Sequence, residues 1–130
     1  MKKRSSKSKE KALLKYEFNK LLKSRKTTFP KHGLWTKNEV TNKKGVYIIY
    51  KGEEIYHVGS TPRGKDGILG RMGDHLAGRS SFIKKALNGK GKSLRGKYQI
   101  KYLPVLKSRL RALLEHYAIG NLCPKHLGEG

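Results

Sequence analysis

Hydrophobic residues near the start of the chain recur at the spacing of a helix. Steps of one, three and four residues separate Leu14, Phe18, Leu21 and Leu22. Because residues at such spacings share one face of a helix, the pattern predicts an amphipathic helix over residues 9–24. We expect Leu34 and Trp35, which follow a turn, to pack this helix onto the rest of the protein.

From Gly45 onward the pattern changes to that of β-strands. The β-branched and aromatic residues of GVYIIY predict a largely buried strand, and IYHVG predicts its return strand. The polar segment between them, KGEE, contains a glycine that suits a positive φ, so we expect the two strands to form a hairpin. Alternation along YQIKYLPVL predicts a third strand over residues 98–106.

Three further segments have helical patterns. They are ILGRMGDHLAG at residues 68–78, SSFIKKALNGK at 80–90 and KSRLRALLEHYAIGNL at 107–122. The Gly-rich and Lys-rich residues 89–97 predict a flexible loop. The order helix, strand, strand, helix, helix, strand, helix predicts an α+β fold, in which helices flank a small three-stranded antiparallel sheet.

Positive charge dominates the chain and is concentrated toward its start. Lys and Arg number 31 against 9 Asp and Glu, which gives a formal net charge of +22. The first third of the chain carries half of this net charge. We therefore divide the chain into a basic N-terminal arm with its amphipathic helix, residues 1–43, and a main domain of residues 44–130. A solubility tail is the alternative interpretation of the arm.

A charge of this size points to a polyanionic partner. Nucleic acid is the usual one, since each phosphate that a cationic side chain neutralises releases counterions. An anionic membrane surface is the alternative, but no apolar run reaches the roughly 18 residues that a transmembrane helix needs. The single cysteine, Cys123, excludes an intramolecular disulfide and fits a reducing compartment. We therefore expect a cytoplasmic protein that binds nucleic acid.

Several polar residues occur in patterns that admit a chemical role. Glu115 lies in the most apolar helix of the chain, where a buried carboxylate must be paired or bind a metal ion. A salt bridge to Arg111, or a position at the solvent edge of the helix, would also account for it. Arg71 and His75 are four residues apart and so share one face of a helix. Surface positions would explain both of these, and core packing would explain Tyr47.

Taken together, four motifs in this order resemble the GIY-YIG nuclease superfamily. The motifs are Gly45-Val46-Tyr47, His57-Val58-Gly59, Arg71-x-x-x-His75 and Glu115 in a late helix, followed by Pro124. The resemblance covers about residues 44–128. The Gly-Val-Tyr triplet alone is a weak signal, whereas the order and the spacings of all four motifs are specific.

The resemblance implies a role for each residue. Tyr47 would help to deprotonate or orient the attacking water, and Arg71 would hold the scissile phosphate. Glu115 would bind one divalent cation, Mg²⁺ or Mn²⁺, and His75 would hydrogen-bond to Tyr47 or relay a proton. The physical chemistry agrees, because a guanidinium and a hard cation stabilise the negative charge that grows on the phosphate oxygens. A phenol with a pKa of about 10 is a poor base at neutral pH and needs help from such cations.

Two positions depart from the pattern of the superfamily. His57 stands where the second motif normally has its tyrosine, and an imidazole there can hydrogen-bond to a phosphate or share a proton. Strand alternation predicts that the neighbouring Tyr56 lies on the opposite face of the sheet. Leu127 stands where the superfamily usually has an asparagine that ties the end of the chain to the site.

These features predict a metal-dependent DNA endonuclease, of the size of a stand-alone restriction or phage enzyme. The alternative is a catalytically weakened module of the same fold that binds DNA or serves repair. A ribosome- or RNA-binding protein would account for the charge but not for the placement of the site residues: Tyr47, Arg71, His75 and Glu115. An enzyme that cuts both strands in one event needs two active sites, and so would act as a homo-oligomer on DNA.

Overall fold

The computed structural model describes residues 6–61 and 67–127, which form an α+β fold. Its elements, in chain order, are helix α1 (Ser6–Lys23), strands β1 (Thr27–Thr28), β2 (Gly45–Lys51) and β3 (Glu54–Ser60), helices α2 (Gly67–Leu76) and α3 (Ser81–Ala86), a 3₁₀ turn (Gly91–Leu94), strand β4 (Gln99–Pro104) and helix α4 (Ser108–Leu122). The start of the predicted basic arm, residues 1–5, lies outside the described residues. Within those residues, no helix combines the length and the apolar character that a membrane span requires.

The sheet contains one strand more than the sequence predicted. Four strands pair antiparallel in the order β1-β4-β2-β3. The additional strand contains only Thr27 and Thr28, which is too short to show the alternation that identifies a strand in a sequence. Tertiary contacts hold it in place, since the next residue, Phe29, is buried and donates its N–H to the carbonyl oxygen of Tyr98 at 2.9 Å.

The two faces of the sheet form two separate hydrophobic cores. The core that we call the lower core is shared with α2, α3 and the loop before β2, and its members include Tyr47, Ile49, Ile68, Met72, Phe82 and Ile83. The upper core is shared with α1 and α4, and its members include Leu14, Phe18, Val46, Ile48, Leu114 and Ala118. Successive side chains of a strand point to opposite faces. Burial of both faces therefore explains why β2 is a nearly continuous apolar run.

The N-terminal helix is anchored differently from the prediction. Trp35 packs against Phe29 in the lower core, with ring centroids 4.9 Å apart, and Leu34 is 43% exposed. Neither residue holds α1, which belongs to the upper core. The ring of Phe18 instead meets that of Tyr117 on α4, with centroids 5.2 Å apart. Residues on both sides of the predicted domain boundary at residue 43 contribute to each core.

A β-bulge in the β2–β3 hairpin reorients one tyrosine. Ile49 pairs with His57 and Tyr50 pairs with Ile55, so Tyr56 is the extra residue on β3. An extra residue of this kind interrupts the alternation of side chains. Tyr56 therefore packs against the lower core, on the side of the sheet where His57 also lies. The prediction that these two neighbours occupy opposite faces is wrong for this reason.

Part of the predicted flexible loop is a 3₁₀ turn whose first and last residues are buried. Leu94 is fully buried in the lower core. Gly91 sits so close to the end of α2 that a Cβ atom there would collide with the carbonyl oxygen of Leu76. A single buried leucine within a run of Gly and Lys gives no periodic signal, which is why the loop prediction is wrong at residues 91–94.

Candidate active site

Three predicted site residues meet on the lower-core side of the β2–β3 hairpin. Tyr47 of β2 and His57 of β3 share this face, with ring centroids 5.9 Å apart. Helix α2 places His75 against both rings, at centroid distances of 5.5 Å from Tyr47 and 5.7 Å from His57. Phe82 of α3 contacts the two histidine rings and completes an aromatic cluster.

A hydrogen bond joins Tyr47 and His75 at the buried centre of this cluster. The Oη atom of Tyr47 lies 2.9 Å from Nε2 of His75, and the two residues are 1% and 0% exposed. The other ring nitrogen, Nδ1, lies 2.6 Å from Oγ of Ser80. Ser80 is also the N-cap of α3 and accepts a hydrogen bond from the N–H of Ile83. The imidazole of His75 is therefore held at both of its nitrogens.

The protonation of this pair follows from its burial. Burial raises the pKa of Tyr47 to about 12, although the positive charge of Arg71 beside it opposes the shift and the carboxylates of Glu115 and Asp74 add to it. Burial also lowers the pKa of His75 well below its usual value, and His57, Arg71 and His126 add to this shift. Tyr47 is therefore a neutral phenol and His75 a neutral imidazole at pH 7.

His57 is held between an aromatic ring and another histidine. Its ring stacks on Phe82 with centroids 4.7 Å apart and an interplanar angle of 9°. Its Nδ1 lies 3.2 Å from Nδ1 of His126. Burial lowers the pKa of His57 to about 3, with further contributions from His126 and Arg71. The contact with His126 is therefore made by a neutral ring at pH 7.

His126 is a site residue that no motif in the sequence predicts. The chain after α4 follows the outer edge of β3, where the N–H groups of Lys125 and His126 donate to the carbonyl oxygens of Ile55 and Tyr56 at 3.1 and 2.8 Å. This pairing ties the end of the described chain to the site. The resemblance assigns that task to an asparagine at position 127, but Leu127 is 56% exposed.

The guanidinium of Arg71 lies between the hydroxyl of Tyr47 and a carboxylate, and it is only partly paired. Its Nη1 lies 3.7 Å from Oδ2 of Asp74, and the carboxylate of Asp74 also accepts two hydrogen bonds from Arg79, at 3.1 and 2.8 Å. The Nε atom of Arg71 is buried and has no hydrogen-bond partner among the residues that the structure describes. A buried donor without an acceptor is costly. The guanidinium is therefore suited to receive an additional anion.

Glu115 reaches the site region from α4, at the end of β3. Its Oε1 accepts a hydrogen bond of 2.7 Å from the hydroxyl of Ser60, the last residue of that strand. Arg111 does not pair with it, because this arginine donates instead to the carbonyl oxygens of Val105 and Leu106, at 3.0 and 3.2 Å. The carboxylate is half-buried, and its charge contributes to the raised pKa of Tyr47.

The donor set around Glu115 limits the kind of metal site that the chain can build. Across residues 6–61 and 67–127, no three His, Cys, Asp and Glu side chains are grouped so that they could hold a metal ion. One carboxylate fits Mg²⁺ best, since this ion keeps several waters and is commonly bound by one or two carboxylates together with substrate phosphates. The geometry is therefore compatible with a cation that binds together with a phosphate.

Comparisons with known proteins do not extend this description. No family model, curated protein or solved structure matches the chain. The resemblance to GIY-YIG nucleases therefore rests on the motifs themselves. Of the five predicted site residues, the fold brings Tyr47, His57 and His75 into ring contact, sets the charge of Arg71 beside them, and places Glu115 at the end of β3.

Proposed function

We propose that this protein is a metal-dependent DNA endonuclease with a GIY-YIG-like fold, of the restriction or phage type. The order of the elements supports this proposal. A hairpin carries Tyr47 and His57, the next helix carries Arg71 and His75, and the last described helix carries Glu115. The observation on which the proposal mainly depends is the incompletely paired guanidinium of Arg71.

Arg71 is proposed to bind the scissile phosphate. Its side chain is 24% exposed, so an anion can reach it from solvent, while its buried Nε lacks an acceptor among the described residues. The planar fork of guanidinium N–H groups matches the geometry of phosphate oxygens. Negative charge grows on those oxygens in the transition state, so the interaction strengthens as the reaction proceeds.

Tyr47 is proposed to orient the attacking water and to accept its proton. The neutral phenol cannot act as a base until its pKa falls from about 12. Positive charge close to the hydroxyl favours the phenolate. Arg71 already acts in this direction, and a cation bound near Glu115 would add to its effect. His75 fixes the position of the phenol oxygen through the 2.9 Å hydrogen bond.

Glu115 is proposed to hold one divalent cation, Mg²⁺ or Mn²⁺. Its Oε1 accepts the hydrogen bond from Ser60, which orients the carboxylate and leaves Oε2 for a metal ligand role. When bound, such a cation supplies Lewis-acid stabilisation to the phosphate oxygens. The proposal assigns the remaining ligand positions to water and to the substrate phosphate.

DNA is the proposed partner because of the charge of the whole chain. The net charge of +22 in 130 residues is far larger than folding or solubility requires. Electrostatic binding of this kind is largely independent of sequence. Sequence or structure preference would then come from contacts around the cleaved phosphate. A homo-oligomer on DNA would be needed for cleavage of both strands in one event.

A second candidate function is a catalytically weakened module of this fold that binds DNA without cutting it. Tyr47 favours this candidate, because it is only 1% exposed. Its hydroxyl can reach a water or a phosphate only if the packing of His57 and His75 around it opens. A binding module would make no such demand, since lysine and arginine side chains alone can hold the phosphates.

Cleavage of a mixed set of DNA substrates separates the two candidates. Linear, branched, supercoiled and single-stranded DNA are incubated with the protein and Mg²⁺, with a chelator in the matched control. The endonuclease proposal predicts metal-dependent nicks in at least one of these substrates. Binding of all four without a single nick would instead support the DNA-binding module.

Paired variants then test the assignment of the residues. Arg71→Lys should lower the single-turnover rate by about 10²-fold or more. Arg109→Lys is the matched control, because Arg109 pairs with Glu10 at 2.8 and 3.0 Å on the upper side of the sheet. Tyr47→Phe should also lower the rate by about 10²-fold or more, with DNA affinity nearly unchanged. Tyr98→Phe, a substitution in the same lower core, should not.

A further inference from the structure

Ser80 links the start of α3 to the ring of His75. The residue is 2% exposed, and its Oγ lies 2.6 Å from Nδ1 of His75. The same oxygen accepts a hydrogen bond of 3.3 Å from the backbone N–H of Ile83. One buried hydroxyl thus serves both a helix terminus and the imidazole that contacts Tyr47.

The protons of this network can be assigned from its donors and acceptors. The N–H of Ile83 is a donor, so Oγ of Ser80 acts there as an acceptor. The hydroxyl keeps its own proton, and the acceptor that the described residues offer to it is Nδ1 of His75. If Nδ1 carried a proton instead, the serine proton would be buried without an acceptor among the described residues, a condition that is rare in native proteins. In the assigned tautomer it is the phenol proton of Tyr47 that needs another acceptor, and a water beside the partly exposed guanidinium of Arg71 can supply it.

The proton position on His75 follows from this assignment. A neutral imidazole with a bare Nδ1 carries its proton on Nε2. The Nε2 atom lies 2.9 Å from Oη of Tyr47, so it donates to the phenol oxygen. The ring of His75 is fully buried beside the guanidinium of Arg71, which disfavours a second proton on the imidazole.

We propose that Ser80 is a positioning residue that sets the tautomer of His75, so that His75 donates a hydrogen bond to Tyr47 and does not accept one. The catalytic consequence of this assignment rests on the proposed nuclease function. A donor at Oη stabilises the phenolate, which is the form that can act as a base. The phenol proton of Tyr47 then passes to water on the substrate side, and His75 is not the group that removes it in the free protein.

The tautomer can be measured directly by NMR, without reference to activity. Long-range ¹H–¹⁵N correlation spectra of the whole labelled chain distinguish protonated from bare ring nitrogens, and His75→Gln assigns the signals. We expect a protonated Nε2 and a bare Nδ1. The opposite tautomer in the wild-type protein would overturn the proposal. If the expected tautomer is found but the protein cleaves no DNA, the nuclease function fails and the hydrogen-bond assignment stands.

Two substitutions of Ser80 separate positioning from helix capping. Ser80→Thr keeps both the hydroxyl and the cap, so the tautomer and the cleavage rate should be retained. Ser80→Asp also caps a helix well, but its carboxylate can only accept a hydrogen bond, so it favours a protonated Nδ1 and should reverse the tautomer of His75. We expect single-turnover cleavage to fall by about 10-fold or more, at unchanged DNA affinity.

The controls decide how these results are interpreted. Ser81→Ala removes the neighbouring exposed hydroxyl and should change neither the tautomer nor the rate. A reversed tautomer in Ser80→Asp with wild-type cleavage would overturn the catalytic part of the proposal. If circular dichroism shows that Ser80→Asp does not fold, the tautomer measured in the wild-type protein decides the question.

Discussion

Gly59 faces the hydroxyl of Tyr47 across the β2–β3 pair, so closely that a Cβ atom at Gly59 would lie 2.5 Å from Oη. The same Cβ atom would lie 3.0 Å from Nε2 of His57. The backbone of Gly59 has no positive φ, so a side chain is excluded there by space and not by conformation. The glycine of the second motif therefore makes room for the phenol and the imidazole to lie on the same face.

Gly59→Ala should destabilise the protein by about 1–3 kcal/mol, as overpacking of a tight core does. It should also displace the hydroxyl of Tyr47 and so reduce cleavage. Gly73→Ala, in helix α2, is the matched control, because among the described residues outside that helix its Cβ would meet only the side chain of Leu34, at 3.9 Å. That substitution should stabilise the protein by about 0.5–1 kcal/mol. Urea unfolding of both variants checks the prediction, and equal stabilities would contradict it.

The strands and helices that the sequence predicted well are those with long periodic patterns. Strand β2 is recognisable because both of its faces are buried, and α1 because its apolar residues recur on one face. Strand β1 and the 3₁₀ turn at 91–94 were missed. Each is held in place by the packing of one or two residues, such as the buried Leu94. One or two buried residues produce no periodic hydrophobic pattern in the sequence.

The candidate site was predictable to the extent that its residues belong to spaced motifs. Tyr47, Arg71 and His75 occur in that order at recognisable intervals, so their roles could be proposed from the sequence. His126 and Ser80 could not. His126 reaches the site because the chain reverses after α4 at Cys123, which adopts a left-handed conformation with φ of 47°. A cysteine at that position does not predict a reversal of the chain.

The buried imidazole of His57 predicts a loss of stability in acid. Its pKa is about 3 in the folded protein, against a usual value of 6.5. Between these two values the unfolded chain binds a proton that the folded protein excludes. The stabilisation is therefore present above pH 6.5 and is lost progressively as the pH falls toward 3, by at most about 1.4 kcal/mol per pH unit for one group.

Substitution of His57 should flatten this acid dependence. His57→Phe keeps a ring that can stack on Phe82 but cannot bind a proton. Chemical unfolding at a series of pH values between 3 and 7 should show a smaller slope for this variant than for the wild type. His116→Asn, which removes an exposed histidine of α4, is the control and should leave the slope nearly unchanged. Identical slopes for His57→Phe and the wild type would refute the prediction.

Helix α1 should contribute to DNA binding through its exposed lysines. Lys7, Lys11 and Lys15 follow one another at four-residue spacing and are exposed. Like charges at this spacing destabilise an isolated helix, so a polyanion that neutralises them would be favoured. The helix also belongs to the upper core, on the opposite side of the sheet from Tyr47. Its phosphate contacts should therefore affect affinity without affecting the chemical step.

The triple variant K7Q/K11Q/K15Q tests this contribution while keeping the helix. Deletion of the segment would confuse the result, because Leu14 and Phe18 are part of the upper core. The slope of log affinity against log salt concentration should become shallower by up to about 2.7, which is about 0.9 for each phosphate that a lysine no longer neutralises. The single-turnover rate at saturating DNA should be unchanged. An unaltered slope would contradict the prediction and support the alternative interpretation, in which these lysines serve only solubility.

Glu115→Gln should abolish metal-dependent cleavage because it removes the ligand of the cation. This cause can be distinguished from a change in the pKa of Tyr47. The amide keeps the size of the side chain and can still accept the hydrogen bond from Ser60. Removal of the carboxylate charge should lower the pKa of Tyr47, since that charge raises it in the parent protein. The phenolate would thus form more readily at neutral pH, so a decrease in cleavage by about 10²-fold or more would have to come from the absence of the cation.

Calorimetric titration with Mn²⁺, in the presence and absence of a non-cleavable phosphorothioate DNA, provides a measurement independent of turnover. We expect one site that binds weakly in the free protein, because a single carboxylate supplies few ligands, and more tightly when the phosphate is present. Glu115→Gln should remove this enhancement. Glu10→Gln, which removes a carboxylate paired with Arg109, should retain it. Tight binding of two ions by the free wild-type protein would contradict the single-cation site, because it would require a carboxylate cluster absent from the part of the chain that the structure describes.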